Sequence, residues 1–236
     1  MPKPVQENAR RVAPRLWDTD WLQLRPLARH LGEQAAHVAP GGVVVDLGCG
    51  SMPYAGLMRG LGLDYRGADI DEDAAEKGKL PIGPDGRVPL PDHSADAVLS
   101  VQVLEHVADL DAYCAEIRRL LKPGGVVLLS THGSWFYHPH PEDHRRWTRT
   151  GLTLDLGERG IMVEQMVSIC GPLATTTMIR LTAFAFVLKR IPLLGGPVAG
   201  LLAMVMNLRG RLEDAITPPV MRDDNACIYL VRARVA

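Results

Sequence analysis

The stretch Val43-Val-Val-Asp-Leu-Gly-Cys-Gly-Ser-Met-Pro-Tyr54 decides the fold class of this chain. Its three valines predict a buried strand that runs into Asp46, and Gly48 and Gly50 follow with one residue between them. Glycine has no Cβ, so a ligand can approach the backbone of such a turn closely. A helix from about Pro53 would point its first N–H groups at the same place. The stretch therefore predicts a nucleotide-like ligand on the turn.

The segments around this turn alternate between strand and helix patterns. Short loops between alternating strands and helices are typical of a mainly parallel, doubly wound, Rossmann-like α/β sheet with helices on both faces. The predicted strands are 43–47, 65–71, 95–101, 126–130, 162–169 and 226–235, with a short one near 87–90. The predicted helices are 17–36, 54–61, 72–79, 104–121 and one from Thr148 or Thr150 to about Arg159.

Length and composition predict a single domain of 236 residues with a helical cap at 1–40 and a helical insert or lid at 171–213. The formal net charge is −1 and no basic run stands out, so we expect no nucleic-acid partner. The four cysteines form no C-x-x-C pair and are typical of intracellular thiols. Residues 1–15 contain no apolar run, so we expect no secretory signal and a cytoplasmic protein.

One stretch, 191–208, carries no charged residue. Prolines and glycines interrupt its first half, and a helix over 198–208 would measure about 16 Å against about 30 Å for a bilayer core. We therefore expect no transmembrane span. A lid over an apolar acceptor, a homodimer face through 173–208 and a contact with the membrane surface remain alternatives.

The residues of the turn also restrict the kind of nucleotide. A dinucleotide fingerprint would place a third glycine where this chain has Pro53. A carboxylate such as Asp46 beside the ligand favours a cationic group, which S-adenosylmethionine has and a pyrophosphate lacks. Asp69 lies 19 residues beyond Gly50, the position of a ribose-binding carboxylate in a βαβ unit.

At this point the chain resembles the class I S-adenosylmethionine-dependent methyltransferases, in the branch of the ubiquinone- and menaquinone-type enzymes. Five segments carry the resemblance, in the order and at the spacing of that family. They are Val45-Asp-Leu-Gly-Cys-Gly50, Gly67-Ala-Asp-Ile-Asp71, Val88-Pro-Leu-Pro-Asp-His-Ser-Ala-Asp-Ala97, Val101-Gln-Val-Leu-Glu-His-Val107 and Leu120-Leu-Lys-Pro-Gly-Gly125.

The resemblance implies a seven-stranded sheet with the last strand antiparallel, and S-adenosylmethionine as the cofactor. It places the methionine end at the first glycine turn, the ribose at Asp69 and the adenine near Asp85-Gly86. The predicted cofactor-binding residues are Asp46, Gly48, Cys49, Gly50, Asp69, Ile70, Asp85, Gly86, Val101 and Gln102. The chain departs from the family pattern at Met52, where a third glycine is frequent.

Several of these residues also have ordinary structural interpretations. Asp69 is a suitable cap for a following helix, and Gln102 is a suitable helix-start residue. Asp85-Gly86 is a good turn pair in any protein.

The acceptor side is predicted from the histidines. A hydroxyl acceptor needs a base near pH 7, and four of the eight histidines fall within 132–144. The candidate catalytic residues are His106, His138 and His140. His106 has a second interpretation, as a packing residue at the start of a helix.

A metal site is an alternative use of the histidine loop, with His138, His140, Asp143 and His144 as ligands. The spacing is not that of two histidines on one helical turn. The Asp143–Arg146 pair and Thr148 also resemble an element that orders the loop in many relatives. Glu105-His106 resembles part of a metal-associated element of quinone-pathway enzymes, but the further acid is missing. We therefore assign no metal.

The predicted function is a methyltransferase acting on a small molecule, with a hydrophobic acceptor as one alternative. O-methylation of a natural product, a quinone-like phenol or a sugar is the leading chemistry. The alternative is a catalytically inactive S-adenosylmethionine-binding partner or regulatory subunit. A nicotinamide oxidoreductase is opposed by Pro53 and Asp46.

Overall fold

The computed structural model describes residues 4–71, 73–139 and 141–236. In this part of the chain seven strands form one sheet: β1 (Val43–Leu47), β2 (Asp64–Asp69), β3 (Leu80–Pro81), β4 (Ala95–Val101), β5 (Leu121–His132), β6 (Ile161–Ile169) and β7 (Ile228–Val235). The helices are α1 (Pro4–Val12), α2 (Trp21–Ala35), α3 (Ala55–Gly60), α4 (Leu110–Leu120), α5 (Arg149–Glu158), α6 (Pro172–Leu188), α7 (Gly195–Ile216) and α8 (Pro219–Asp224).

The sheet has the strand order β3-β2-β1-β4-β5-β7-β6. The strands β1 to β5 pair in parallel, and β7 runs antiparallel to both β5 and β6. The predicted fold class, with an antiparallel last strand, is confirmed. The strand order reverses beside β1, whose neighbours are β2 and β4. In doubly wound sheets the ligand crevice opens at the carboxyl ends of the strands at such a point.

The two faces of the sheet are covered by different helices because side chains alternate along each strand. Val44 and Leu99 pack on one side with residues of α2, α3 and α6. Val45 and Val98 pack on the other side with residues of α4 and α5. Burial on both faces explains why the central strands are almost continuously apolar.

The helix predicted over 104–121 is two elements. A single 3₁₀ turn spans Leu104–His106, and Val107 is extended, with ψ at 120°. The α-helix starts only at Leu110, where the Asp109 carboxylate accepts a hydrogen bond of 2.9 Å from Ala112 N. An extended residue followed by a capping aspartate interrupts the periodic pattern.

Other boundaries also differ from the prediction. The strand predicted at 126–130 is β5, which already begins at Leu121 and ends at His132. The edge strand is β3 at 80–81, and residues 87–90 form no strand. Of the helix predicted at 72–79, residues 73–78 form turns, Lys79 has no regular structure, and Glu72 lies outside the described residues. The helix predicted from Trp17 begins at Trp21, because 16–20 is a series of turns and bends.

The predicted insert between the last two strands forms α6 and α7, which pack on each other and are joined by 189–194. No helix among the described residues is both long and apolar enough to cross a membrane.

Candidate active site

The glycine turn after β1 is open towards solvent. Gly48 and Gly50 have φ angles of +74° and +52°, in the left-handed region that favours glycine. A Cβ on Gly48 would lie 2.7 Å from Val103 Cγ1, whereas a Cβ on Gly50 would meet nothing within 4 Å. Met52, where the family pattern has a glycine, also has a positive φ, of 58°. Met52 thus has a left-handed backbone conformation that glycine would adopt easily at this position.

Asp69, at the end of β2, is tied to this turn. Its Oδ2 accepts a hydrogen bond of 2.5 Å from Gly50 N, and its Oδ1 accepts one of 2.9 Å from Ile70 N. No helix starts immediately after Asp69 in the described residues, so its side chain caps none. Each carboxylate oxygen has a second lone pair with which to accept a hydrogen bond from a ligand hydroxyl.

Asp46 is the buried carboxyl group of the turn, only 2% exposed. The Tyr65 hydroxyl donates a hydrogen bond of 2.5 Å to its Oδ2. Burial raises the pKa of Asp46 to about 7, against the lowering effect of the Tyr65 hydrogen bond, and the nearby Asp69 raises it further. A cationic ligand group would favour the ionised form of this carboxyl.

A single cleft of about 1630 Å³ runs over this turn. It exceeds the 300–1,000 Å³ that is typical of a pocket for one small ligand, so it offers room for two molecules. Every predicted cofactor-binding residue lines it: Asp46, Gly48, Cys49, Gly50, Asp69, Ile70, Asp85, Gly86, Val101 and Gln102. His106 and His138 line it too, while His140 lies outside the described residues.

Asp85 and Gly86 form a turn that borders the cleft. Asp85 Oδ1 accepts a hydrogen bond of 3.1 Å from Arg87 N, and Gly86 has a φ of +77°. The turn interpretation of this pair therefore holds, and the turn borders the cleft. Ile70, 65% exposed, offers an apolar surface at the same cleft.

Gln102, at the end of β4, is not a helix-start residue. Its φ is +56°, and its backbone N–H donates to Ser130 O at 2.9 Å. Its Nε2 also donates to Ser130 Oγ at 3.2 Å. A non-glycine residue held in a left-handed conformation is a feature that accumulates at functional sites.

Three histidines that line the same cleft, His106, His132 and His138, form a histidine wall. The ring centroids of His106 and His138 are 5.0 Å apart, and so are those of His132 and His138. Trp135 stacks on His132 with ring centroids 5.8 Å apart. His106 Nδ1 is within hydrogen-bond distance of Glu142 O, at 2.5 Å. Burial lowers the pKa of His138, against the raising effects of Phe136 O and Asp143, which favours its neutral form.

Two residues at the histidine wall, Glu105 and His132, are absent from the predicted set. Both side chains are buried, and Glu105 Oε2 accepts a hydrogen bond of 2.8 Å from Thr131 Oγ1. Burial raises the pKa of Glu105 and lowers that of His132 well below its usual value. One feature of the sequence could have identified them, namely a polar residue at or beyond the end of an apolar strand pattern. His132 ends β5, and Glu105 follows β4.

The loop after β5 is ordered by an ion pair. Arg146 Nη1 and Nη2 contact Asp143 Oδ1 and Oδ2 at 2.5 and 2.6 Å, and they hold the pKa of that carboxyl well below its usual range. Asp143 Oδ2 also accepts from His138 N at 2.8 Å. Thr148 Oγ1 caps α5 by accepting from Gly151 N at 3.0 Å. These contacts support the structural interpretation of Asp143, Arg146 and Thr148.

Fold and cleft together define a Rossmann-like α/β domain whose cleft opens at the switch point of its sheet. Residues 45–129 match the family described as a methyltransferase domain. In this part the chain is similar to the class I S-adenosylmethionine-dependent methyltransferases. The predicted family and cofactor are thereby confirmed.

Similar proteins carry names of the same kind. The chain is 33% identical over 150 residues to a "Probable S-adenosylmethionine-dependent methyltransferase" of Mycolicibacterium smegmatis, over 58% of each chain. It is 32% identical to a ubiquinone biosynthesis O-methyltransferase of Thiobacillus denitrificans, over 51% of this chain and 59% of that protein. The aligned part thus spans a little over half the length of these relatives.

Solved structures share the fold at low sequence identity. An S-adenosylmethionine-dependent methyltransferase from Mesorhizobium loti superposes with a TM-score of 0.55 at 18% identity. The match covers 92% of this chain and 98% of that one.

Proposed function

We propose that this chain transfers the methyl group of S-adenosylmethionine to a small-molecule acceptor, with a hydroxyl oxygen as the leading acceptor atom. One observation carries the proposal: a single cleft joins the cofactor turn at Gly48 and Gly50 to the histidine wall. Donor and acceptor can therefore occupy one continuous space, which an in-line displacement requires. A natural product, a quinone-like phenol or a sugar is the acceptor class that we propose, and ubiquinone O-methyltransferases among the relatives support it. The predicted cytoplasmic location belongs to the same proposal.

The residues that would bind S-adenosylmethionine, the methyl donor, are assigned by their charge and their position in the cleft. S-adenosylmethionine carries an ammonium and a sulfonium group, and the carboxyl of Asp46 lines the cleft at the glycine turn. Asp69, whose carboxylate is anchored to the same turn, is suited to accept hydrogen bonds from the two ribose hydroxyls. The turn at Asp85-Gly86 and the side chain of Ile70 would then border the adenine.

The chemical step needs few groups from the protein. The acceptor oxygen forms the new bond to the methyl carbon, and the electron pair of the broken carbon–sulfur bond remains on sulfur, giving S-adenosylhomocysteine. The acceptor proton passes to a base, for which His106 and His138 lie at the cleft. His140 stays a candidate from the sequence. The cleft is also lined by the apolar side chains of Trp135, Pro139 and Ile228, which supports a hydrophobic acceptor.

The proposal extends to a partner, a second copy of this chain bound along α7. Exposed apolar residues recur along this helix with the 3–4 spacing that pairs helices: Val198, Leu201, Val205, Leu208 and Leu212. No charged residue lies within 195–208, and Arg209 and Arg211 at the end of the stripe are fewer than the rows of basic residues typical of helices that bind anionic lipid. Self-association therefore fits this stripe better than a membrane surface does.

The test of the enzymatic proposal is a screen of phenols, quinols and sugars for release of S-adenosylhomocysteine. Calorimetry with S-adenosylmethionine and with NAD(H) accompanies it. Turnover of at least one hydroxyl compound is expected. Tight cofactor binding without turnover of any acceptor would favour the inactive-partner alternative, and binding of NAD(H) alone would refute both.

The assignment of Asp69 is tested by Asp69→Asn. We expect its affinity for S-adenosylmethionine to fall by about 10- to 100-fold, because charge-assisted hydrogen bonds are replaced by weaker ones. The matched control is Asp73→Asn, an exposed carboxylate whose partner is Lys77, and its affinity should be that of the parent chain. Equal dissociation constants for all three proteins would refute the ribose role.

A further inference from the structure

Three side chains converge at the acceptor end of the cleft from separate parts of the sequence. Glu105 follows β4, His132 ends β5, and His138 lies on the loop beyond it. Each offers one ligand atom, and these atoms lie within 4.8 Å of one another. We propose that Glu105, His132 and His138 bind a divalent transition-metal ion of the zinc type. The existence of this site does not depend on the proposed function; only its role in methyl transfer does.

The distances fit an ion better than they fit direct contacts. Glu105 Oε1 is 3.7 Å from His132 Nε2 and 4.0 Å from His138 Nε2. Both separations are too long for a hydrogen bond. Two atoms bound to one zinc ion at about 2 Å lie about 3.4 Å apart in tetrahedral geometry and at most about 4 Å apart, so both separations are within reach of a shared ion after a small contraction.

The carboxylate of Glu105 is held in place with one oxygen unsatisfied. The side chain is fully buried, and Oε2 is fixed by the Thr131 hydroxyl at 2.8 Å. Oε1, the atom that faces the two imidazoles, has no hydrogen-bond partner in the described part of the chain. Buried carboxylate oxygens are almost always paired, so an unsatisfied one beside two histidines indicates a missing ligand.

The histidine His138 is oriented as a metal ligand would be. Its Nδ1 is 3.0 Å from Phe136 O. A ring that donates its Nδ1–H to a backbone carbonyl carries the lone pair on Nε2, the nitrogen that faces Glu105. Such an outer contact to a carbonyl is the usual support of a metal-bound imidazole.

This set differs from the metal site considered for the histidine loop, and from the absence of metal that the sequence predicted. Asp143 is occupied by Arg146 on both of its oxygens, which also balances the positive charge of that arginine. His144 pairs with Glu142, with Nε2 3.1 Å from Oε2. The third ligand, His132, comes from the end of a strand, where spacing within the loop could not identify it.

The donor atoms indicate the class of ion. Two imidazole nitrogens and one carboxylate oxygen suit Zn²⁺ and related transition metals, whereas Mg²⁺ and Ca²⁺ prefer oxygen ligands. Three protein ligands leave at least one position for another molecule, and His132 and His138 both line the cleft. A hydroxyl acceptor bound there would lose its proton more readily. His106, with its ring centroid 5.0 Å from that of His138, would then be the base.

The test is direct metal binding by the full chain after dialysis against a chelator. Calorimetric titration with Zn²⁺ should give one site per chain. Co²⁺ as a spectroscopic probe should give ligand-field bands without a thiolate charge-transfer band, because no cysteine is a ligand. His138→Gln and Glu105→Gln should each weaken Zn²⁺ binding by about 100-fold or more, since even outer contacts of metal ligands are worth 10- to 100-fold.

The matched control is His144→Gln, a histidine of the same loop outside the three proposed ligands. It should bind Zn²⁺ like the parent chain, and thermal melting should show that His138→Gln, in a half-buried position, remains folded. No binding by the parent chain, or equal binding by all variants, would overturn the site. Metal binding without methyl transfer would refute the proposed function alone, and chelator-resistant methyl transfer without metal binding would refute the site alone.

Discussion

Asp46 is a residue at which the demands of the ligand and of the fold oppose each other. Its carboxyl group is buried, with the Tyr65 hydroxyl as a donor to one oxygen and the carboxylate of Asp69 nearby. An ionised carboxylate in such surroundings is unfavourable until a cation binds. The pKa of Asp46 is raised to about 7 because burial disfavours the ionised form of its carboxyl group.

The pH dependence of stability follows from this pKa. Because the folded chain holds the Asp46 proton more tightly than the unfolded chain does, the contribution of this group to stability is greatest below about pH 4 and is lost as the pH rises through 7. Asp46→Asn removes this dependence and keeps an oxygen for Tyr65. We expect the cofactor-free variant to be more stable than the parent chain by about 2–4 kcal/mol at pH 8, with the difference shrinking towards pH 4.

Urea unfolding at a series of pH values measures this difference. The same variant should bind S-adenosylmethionine more weakly, because the carboxylate opposite the cation is gone. A stability difference that is constant between pH 4 and pH 8 would show that Asp46 ionises normally in the folded chain.

That the predicted cofactor-binding residues lie together could be predicted from the sequence, because the turn is local. Gly48, Gly50 and Asp69 are fixed by spacing along one βαβ unit, and the structure places all of them at the cleft. The opposite wall could not be predicted in the same way. Glu105 and His132 meet only because β4 and β5 are neighbours in the sheet. The spacing of residues along the sequence does not show which strands are neighbours.

At the level of elements, α5 shows how one side chain sets a boundary. The sequence offered Thr148 and Thr150 as caps, and the structure gives the cap to Thr148, whose Oγ1 accepts from Gly151 N at 3.0 Å. Thr150 lies inside the helix and is exposed. Only one of the two can satisfy an otherwise unpaired N–H group.

Thr148→Ala should therefore lower the free energy of unfolding by about 1 kcal/mol, the typical contribution of an N-cap. Thr150→Ala is the control and should change it by less than about 0.5 kcal/mol, as surface substitutions usually do. Chemical denaturation of the two variants beside the parent chain measures both. A larger loss for Thr150→Ala would place the cap two residues later.

The misplaced elements depend on local features that an apolar pattern does not show. The apolar period of 104–121 continues through Val107, but the extended backbone there and the Asp109 cap divide the segment. The edge strand β3 consists of two residues held by β2, too few for an alternating pattern to be visible. The strand β4 was predicted with its observed bounds, and 126–130 of β5 was predicted too, because burial on both faces imposes a continuous apolar run.

At the scale of the whole molecule, the outer face of α7 is an apolar surface that the rest of the described chain leaves uncovered. Ala199, Ala203, Asn207 and Gly210 are buried on its inner side. The apolar residues of its outer side are between 47% and 70% exposed from Val198 to Leu212. A contiguous apolar stripe of this length is typical of a surface that another molecule covers.

The double variant Leu201→Glu and Val205→Glu tests the proposed second copy. If two chains pair along α7, four added carboxylates would face one another in the apolar interface, and the dimer should dissociate at concentrations where the parent chain is dimeric. Light scattering after size-exclusion chromatography gives the mass. Leu154→Glu, at a 60% exposed leucine on α5, is the matched control and should remain dimeric. A parent chain that is monomeric and sediments with phospholipid vesicles would assign the stripe to a membrane surface instead.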